Sequence, residues 1–280
     1  RPWRRESAVM IWRLVFLIAL AAAFPAAAKP RALSLDYCAD QYLLKLADPA
    51  QIAALSRGAD KDYSYMRDAA QPYKKIRPTL EETAPFEPDI VLRQWGGGAN
   101  AERAFSRFGA KVVTLGYPEN FDGVKANVRL VAGVLDQQEK GDVLIAEIER
   151  RLAALKRKAT EQRVEALYVT PGGVTAGGHT MINAIMSAAG VVNIAAERGD
   201  IYWPALPAET LILDPPGLVI AGFFHAADER INHWSASRHP VFRKLFNSTP
   251  TVSLSPDTIS CAAWFSLDAA EAIAERAAQR

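Results

Sequence analysis

The stretch that decides the fold is Pro88-Asp89-Ile90-Val91-Leu92-Arg93-Gln94-Trp95-Gly96-Gly97-Gly98-Ala99-Asn100-Ala101-Glu102-Arg103. Its apolar run at 89–92 predicts a short buried strand, and three glycines separate that strand from a helical pattern at 100–108. A second apolar run at 111–115 predicts another strand. A strand, a helix and a strand in close succession are typical of a parallel sheet that helices cover on both faces.

The same alternation continues on both sides of this stretch. Further strands are predicted at 32–35, 165–170, 218–221 and 251–254, and further helices at 121–135, 181–189, 207–213 and 267–278. The expected fold class is therefore α/β, with two Rossmann-like lobes that each contain a parallel sheet.

A segment of different composition, 137–162, lies between the two predicted lobes. It is rich in Glu, Lys, Arg, Ala and Leu, contains no proline and has apolar residues at helical spacing. We expect one helix of about 30 Å that joins an N-terminal lobe at 29–136 to a C-terminal lobe at 163–280. A stiff helical connection of this kind permits little opening. The alternative is an ordinary helix that covers one lobe.

The composition of the 280 residues suits a folded globular protein. Half of the chain is hydrophobic, 23% is charged, and 33 basic residues stand against 31 acidic ones. This balance excludes a disordered chain or a polytopic membrane protein, and it gives no reason to expect a nucleic-acid partner. The chain has no Gly-x-Ser-x-Gly elbow, no phosphate loop and no convincing triad, so we do not expect an enzyme. We expect a monomer.

The first 28 residues have the pattern of an export signal. Arginines precede an apolar stretch at 11–24, and Pro25-Ala26-Ala27-Ala28 follows it. This order predicts a secretory signal that is cleaved after Ala28, and the alternative is an uncleaved anchor. No cysteine lies near that point to carry a lipid, so we expect a free periplasmic protein.

Aromatic residues follow or flank several predicted strand ends. Ligands of parallel α/β sheets bind outside the carboxyl ends of the strands, so these rings are candidates for a cleft between the lobes. Gly96 and Gly97 would let the backbone approach a ligand. The alternative for each tryptophan is core packing. The candidate rings are Trp95, Trp203, Trp264 and Phe265, with Tyr63 and Tyr65 from a loop of the first lobe.

A weak internal repeat places one acidic residue in each lobe. Glu81 precedes Pro88 by the same interval as Glu209 precedes Pro216, and in each copy a predicted helix leads into a buried strand. The two glutamates would then occupy equivalent positions. The alternative is that both are ordinary acids of a first helical turn.

Three stretches of the sequence resemble one family, the periplasmic substrate-binding proteins of ABC importers that carry cobalamin, iron-siderophores and haem. The resemblance lies in the stretch 88–103, in Tyr202-Trp203-Pro204 followed by Glu209, and in Ala263-Trp264-Phe265, and it is greatest to the cobalamin-binding members. It implies two α/β lobes joined by one backbone helix, a ligand held between them, and Glu81 and Glu209 docking onto the permease dimer. Cobalamin or another corrinoid is the first expectation for the ligand, and a ferric siderophore or haem the second.

Charged residues and histidines offer further possibilities. Lys74, Lys75 and Arg77, if they lie at the cleft mouth, would suit an acidic ligand, but loop lysines are usually just solvated. All four histidines lie in the second half of the chain, at His179, His225, His233 and His239. The first lobe contains no histidine, so we expect no metal site and no resident cofactor, with His225 as a possible ligand contact.

Two remaining features leave alternatives open. The glycines at 96–98 follow a strand and open a helix, which matches a dinucleotide fingerprint loosely, so the competing function is an exported nucleotide-binding oxidoreductase. Cys38 and Cys261 both follow predicted strands. They would form a disulfide between the lobes, pack as two small apolar residues, or present a thiol to the ligand.

Overall fold

The computed structural model describes residues 28–158, 163–206, 211, 215–223 and 240–279. Within them the chain forms two parallel sheets flanked by helices, which confirms the predicted α/β fold of two lobes. None of the helices in this part of the chain combines the length and the apolar character that crossing a membrane requires.

The first sheet has five parallel strands in the order β3-β2-β1-β4-β5. The central strand β1 pairs with β2 on one side and with β4 on the other. The sheet centre is apolar and buried, as expected when helices cover both faces of a parallel sheet. The strands are β1 Ala32–Ser34, β2 Ile52–Ser56, β3 Lys75–Ile76, β4 Ile90–Arg93 and β5 Lys111–Thr114.

The second sheet has four parallel strands in the order β7-β6-β8-β9. Its centre is formed by β6 and β8, which pair from Ala166 with Leu218 to Val169 with Ala221. All five residues of β8 are buried, so this strand is covered on both faces. The strands are β6 Glu165–Val169, β7 Val192–Asn193, β8 Leu218–Gly222 and β9 Thr251–Leu254.

Several helices begin where the sequence supplies a side chain that caps them. Asp36, Asn120 and Thr180 each accept a hydrogen bond from a backbone N–H of the helix that follows. The helices are α1 Tyr37–Leu46, α2 Arg67–Ala70, α3 Leu80–Thr83, α4 Ala101–Ser106, α5 Phe121–Val134, α6 Gln138–Lys158, α7 Met181–Ala188, α8 Ile194–Glu197, α9 Pro240–Ser248, α10 Pro256–Ile259 and α11 Ser266–Ala278.

Helix α6 is the predicted connection between the lobes. Its 21 residues span about 30 Å and pack on α5 of the first lobe and on α11. Leu144 and Ile148 belong to a single apolar core that also contains Val128 of the first lobe and Ile182 of the second. The core is therefore continuous through the helix, and the two lobes are not joined by a flexible linker.

The segment after β9 is fastened to the first lobe. Cys38 and Cys261 form a disulfide, with their Cα atoms 5.5 Å apart. Of the three alternatives for the two cysteines, the structure therefore has the first, a bridge between the lobes. Arg67 pairs with Asp257 at 2.7 Å, and the Tyr42 hydroxyl donates to the carbonyl of Ala262 at 3.0 Å. We call these contacts, together with the hydrogen bond from Tyr65 to Asp268, the seam.

Candidate functional site

A cavity of about 400 Å³ opens between the two lobes at the carboxyl ends of the strands. This is where ligands of parallel α/β sheets bind. The first lobe contributes Tyr37, Gln94, Trp95, Tyr117, Pro118 and Glu119, and the second contributes His179, Thr180, Met181, Ile182, Ile185, Tyr202, Trp203, Ile259, Ser260, Cys261, Ala262 and Ser266.

Exposed aromatic rings are concentrated on this cavity. Eight large apolar side chains are exposed among the described residues, and four of them line the cavity: Trp95, Tyr117, Tyr202 and Trp203. Trp203 is 53% exposed, although an indole gains much free energy from burial. A cluster of uncovered aromatic rings in a concave site favours a ligand that covers them.

The loop that carries Trp95 is held by one buried side chain. Asp36 Oδ2 accepts hydrogen bonds from the backbone N–H groups of Gln94, Trp95 and Gly96, at 2.7, 3.1 and 3.0 Å. Gly96 is required here because a Cβ would overlap the carbonyl of Leu35. Gly96 and Gly97 therefore shape the loop and do not themselves line the cavity.

A second ring stands beside Trp95. Tyr37, the first residue of α1, meets the indole edge to face, with ring centroids 5.0 Å apart. Burial raises the pKa of the Tyr37 hydroxyl, and the neighbouring Tyr63 and Asp36 raise it further. Tyr63 packs against the Tyr37 ring, with ring centroids 4.8 Å apart, and does not itself line the cavity.

In the second lobe, paired backbone segments present Tyr202 and Trp203. The Tyr202 N–H donates to the carbonyl of Gly178 at 2.8 Å, and the Gly177 N–H donates to the carbonyl of Tyr202 at 2.9 Å. His179 and Tyr202 have φ values of 58° and 57°, in the left-handed region that side chains other than glycine rarely adopt. Strained backbone of this kind clusters at binding sites.

Trp264, Phe265 and Tyr65 do not contact the cavity, so these three predicted ligand contacts are corrected. Trp264 is 5% and Phe265 1% exposed, and both pack in the continuous core. Tyr65 stacks on Phe265 with centroids 4.3 Å apart and donates its hydroxyl to Asp268 at 2.7 Å. Burial, followed by the Asp268 carboxylate, raises the pKa of Tyr65 to about 12. The seam turns these rings away from the strand ends and into the core.

The cations predicted at the cleft mouth lie elsewhere. Lys75 donates to the carbonyls of Ala70 and Gln71, at 2.7 and 3.0 Å, and Arg77 pairs with Glu82. Lys74 precedes β3, Lys75 begins it and Arg77 follows it, at the edge of the sheet, and none of the three lines the cavity.

Glu119 and His179 join the two lobes at the rim of the cavity. Glu119 Oε2 lies 3.0 Å from His179 Nδ1, and both side chains are about half exposed. Both residues also line a neighbouring groove beside α5, α6 and α7. The pair therefore stands between the groove and the aromatic cavity.

The dinucleotide alternative is disfavoured by the same hydrogen bonds. A pyrophosphate needs free backbone N–H groups at the glycine loop, and Asp36 already accepts those of Gln94, Trp95 and Gly96, where the loop begins. A carboxylate buried at this point would also repel a phosphate.

The remaining predicted residues are partly outside the described chain. Glu81 is exposed in the first turn of α3, where hydrogen bonds from its own backbone N–H and from Thr79 lower the pKa of its carboxyl. Glu209, His225, His233 and His239 lie outside the described residues. Within the described ranges, no three side chains of His, Cys, Asp or Glu are grouped to hold a metal ion.

Sequence reasoning missed several residues that line the cavity, and the rule about strand ends predicts two of them. Tyr37 follows the end of β1 and Tyr117 follows the end of β5, just as Trp95 follows β4. Glu119 extends the turn after β5, and His179 and Tyr202 flank the paired segments of the second lobe. Applying the rule to every strand end, not only to those followed by tryptophan, identifies Tyr37 and Tyr117.

Comparison with known proteins gives the family. The sequence profile of the periplasmic binding protein family matches residues 33–252. A probable siderophore-binding lipoprotein, YfiY, of Bacillus subtilis is 27% identical over 122 residues, which are 42% of this chain and 36% of that protein. A cobalamin-binding protein of Halobacterium salinarum is 23% identical over 197 residues, which are 69% of this chain and 53% of that protein. The chain thus spans about half or less of these curated relatives.

Solved structures show the same fold. The periplasmic haem-binding protein HutB of Vibrio cholerae superposes with a TM-score of 0.70 at 17% identity, over 88% of this chain and 98% of that one. The names of all three proteins describe binding and not catalysis, in line with the expectation from the sequence. The match over most of the chain shows that this protein belongs to the periplasmic binding protein family.

Proposed function

We propose that the protein is the substrate-binding component of an ABC importer: it captures a bulky metal chelate between its lobes and delivers it to the permease. The chelate is cargo, and no resident cofactor is needed. The observation that carries this proposal is the group of exposed rings, Trp95, Tyr117, Tyr202 and Trp203, on one cavity between the lobes. Wide, flat ligands are well matched by aromatic faces, which bury large areas at a small cost in side-chain entropy.

Cobalamin or another corrinoid ranks first among the chelates. The acidic and basic side chains in the described lining are Glu119 and His179, which pair with each other, and no lysine or arginine is among them. Haem and most ferric siderophores carry acidic groups that favour a cationic partner, whereas the rim of a corrin carries neutral amides. The likeness to the cobalamin-binding relative supports the same order. A ferric siderophore or haem is the second candidate.

Calorimetry with cyanocobalamin, haem and a panel of ferric siderophores tests the proposal. We expect one of them to bind with a Kd of about 1 µM or below. Trp95→Ala and Trp203→Ala should each weaken that binding at least about tenfold. Phe108→Ala is the matched control, since Phe108 is 64% exposed but lies away from the cavity. If no compound of the panel binds, the proposal is contradicted. If all three variants lose the same amount of affinity, the cavity is not the binding site.

Delivery requires docking, which we assign to Glu81 in the first lobe and Glu209 in the second. Glu81 is exposed at the start of α3. An acid on each lobe suits a permease dimer with two-fold symmetry. Glu81→Arg and Glu209→Arg should leave the Kd unchanged and reduce permease-dependent uptake, most strongly together. The control is Glu102→Arg, which reverses another exposed acid in a first helical turn of the same lobe. Normal uptake by the double variant contradicts this docking role.

Capture in the periplasm requires export, for which we propose that residues 1–28 are a cleaved signal. Lys29 pairs with Asp48 at 2.8 Å, so the first residue after the proposed cleavage point is in contact with the fold. N-terminal sequencing of the periplasmic protein should begin at Lys29. Retention of the full chain in the membrane fraction contradicts cleavage.

A further inference from the structure

Asp36 connects two parts of the cavity wall through its two carboxylate oxygens. Oδ1 accepts from the backbone N–H of Ala39 at 3.0 Å and so caps α1, whose first residue is the cavity ring Tyr37. Oδ2 accepts from the three successive N–H groups of the Trp95 loop. The side chain is only 4% exposed, and none of its atoms lines the cavity. Its influence on a ligand is therefore exerted through its neighbours.

The three loop N–H groups have one acceptor in common. Three consecutive backbone donors aimed at one point form an anion-binding concavity, and in this protein an internal carboxylate fills it. Only an acceptor without protons satisfies three donors at once, and a carboxylate also strengthens each bond by its charge. Neither an amide nor a hydroxyl at position 36 reproduces this arrangement.

The consequence for the cavity is the relative placement of two rings. Tyr37 and Trp95 stand edge to face at 5.0 Å, with 72° between their planes. One ring begins a helix and the other lies on a loop after a different strand, so sequence proximity does not fix their distance. Asp36 is bonded to both elements.

We propose that Asp36 is a positioning residue for ligand binding: by holding the Trp95 loop against the start of α1, it sets the placement of Tyr37 and Trp95 that the ligand meets. This inference rests on the proposed function of the cavity. It adds a residue that lies outside the cavity and that the resemblance to the family did not identify.

Asp36→Ser separates the two roles of the side chain. Serine caps helices as well as aspartate does, but it is too short to reach the loop. We expect α1 to remain intact, while the amides of Gln94, Trp95 and Gly96 lose protection from hydrogen exchange. The Kd for the chelate that the wild type binds should rise at least about tenfold. Asp36→Asn has one accepting oxygen for two sites, so its NH₂ group must face either the three loop N–H groups or the N–H of Ala39, and the amides on that side should lose protection.

Gln51→Ala controls for a general loss of stability. Gln51 is also buried in the first lobe, where it donates to the carbonyls of Pro30 and Leu135 away from the cavity. It should lower the melting temperature without weakening binding. If wild type and Asp36→Ser bind the chelate equally, or if Gln51→Ala weakens binding as much, the inference is overturned while the proposed function stands. If the wild type binds nothing in the panel, the proposed function fails first, and unchanged amide protection in Asp36→Ser then overturns the positioning role independently.

Discussion

Replacing Asp40 with asparagine should stabilise the protein near neutral pH and have little effect below pH 4. Asp40 is fully buried in α1, where it bonds to the Ser34 hydroxyl and to the N–H and hydroxyl of Ser56, at 2.9 and 2.6 Å for Ser56. Burial raises the pKa of Asp40 from its ordinary value of 3.8 to about 7, although the serine hydrogen bonds oppose the rise. The neighbouring Asp36 carboxylate adds to it.

The sign and size of the effect follow from linkage between proton binding and folding. Because the folded state holds this proton more tightly than the unfolded state, the proton's contribution to stability is complete below pH 4 and is lost as the pH rises to about 7. The difference between the two pKa values corresponds to about 4 kcal/mol of unfolding free energy. Asparagine resembles the protonated carboxyl, accepts from the Ser56 N–H and does not titrate.

Urea unfolding of both proteins at pH 4, 5.5 and 8 measures this difference. The free energy of unfolding of Asp40→Asn minus that of the wild type should rise by about 2 kcal/mol by pH 5.5 and by about 4 kcal/mol by pH 8. Asp122→Asn, at an exposed carboxyl of α5, is the control and should not show this rise. A difference for Asp40→Asn that does not change with pH refutes the reasoning, because Asp40 would then bind its proton equally in both states.

Three further predictions concern the contacts between the lobes. In urea unfolding, Trp264→Ala should lower the free energy of unfolding by about 3–5 kcal/mol and Trp203→Ala by less than about 1 kcal/mol. Similar losses in the two variants would contradict the core position of Trp264. Cys38→Ser with Cys261→Ser removes a bridge between residues 223 apart and should cost up to about 5 kcal/mol; an unchanged urea midpoint would show that the bridge constrains neither state. Glu119→Gln should change the free energy of unfolding by less than about 1 kcal/mol and yet speed the release of a bound chelate in stopped-flow measurements. Glu149→Gln breaks the exposed pair with Lys125 and should leave the release rate unchanged. Equal release rates in the two variants would show that the Glu119–His179 pair does not hold the cavity closed.

The strands that the sequence predicted have either an apolar run or an alternation of polar and apolar residues, as in Thr251–Leu254. Ile90–Arg93, Thr251–Leu254 and Leu218–Gly222 all formed within one residue of the expected bounds. The missed strand Ile52–Ser56 has the run Ile-Ala-Ala-Leu-Ser, which suits a helix as well as a strand, and only its pairing with Ala32–Ser34 decides between them. The two-residue strands Lys75–Ile76 and Val192–Asn193 exist through pairing alone.

Residues of the candidate site could be predicted where a local sequence rule places them on the cavity. They were predicted wrongly where contacts with residues far away in the sequence set their position. Trp95 lies on the cavity, as the strand-end rule predicts, and so does Trp203, which precedes the helix predicted at 207–213. Trp264 satisfies a similar rule, yet helix α10 and the disulfide intervene and turn it under α1, against Tyr42 at 5.6 Å. The partner of a buried ring is set by residues more than two hundred positions away, which no local pattern contains.

The two edges of the cavity are held by interactions of very different strength. On the seam, a disulfide, the Arg67–Asp257 pair and the Tyr65–Asp268 bond join the lobes, and Arg151 of α6 extends this network by pairing with Asp268 and Glu271. Among the described residues at the Glu119–His179 rim, the lobes meet through this half-exposed pair, and exposed polar pairs contribute little. From a covalent bond on one side and a weak polar contact on the other, we expect the cavity to widen by rotation about the seam. Motion of this kind would separate Tyr117 from Tyr202 and Trp203 while the contact between Tyr37 and Trp95, both within the first lobe, stays intact.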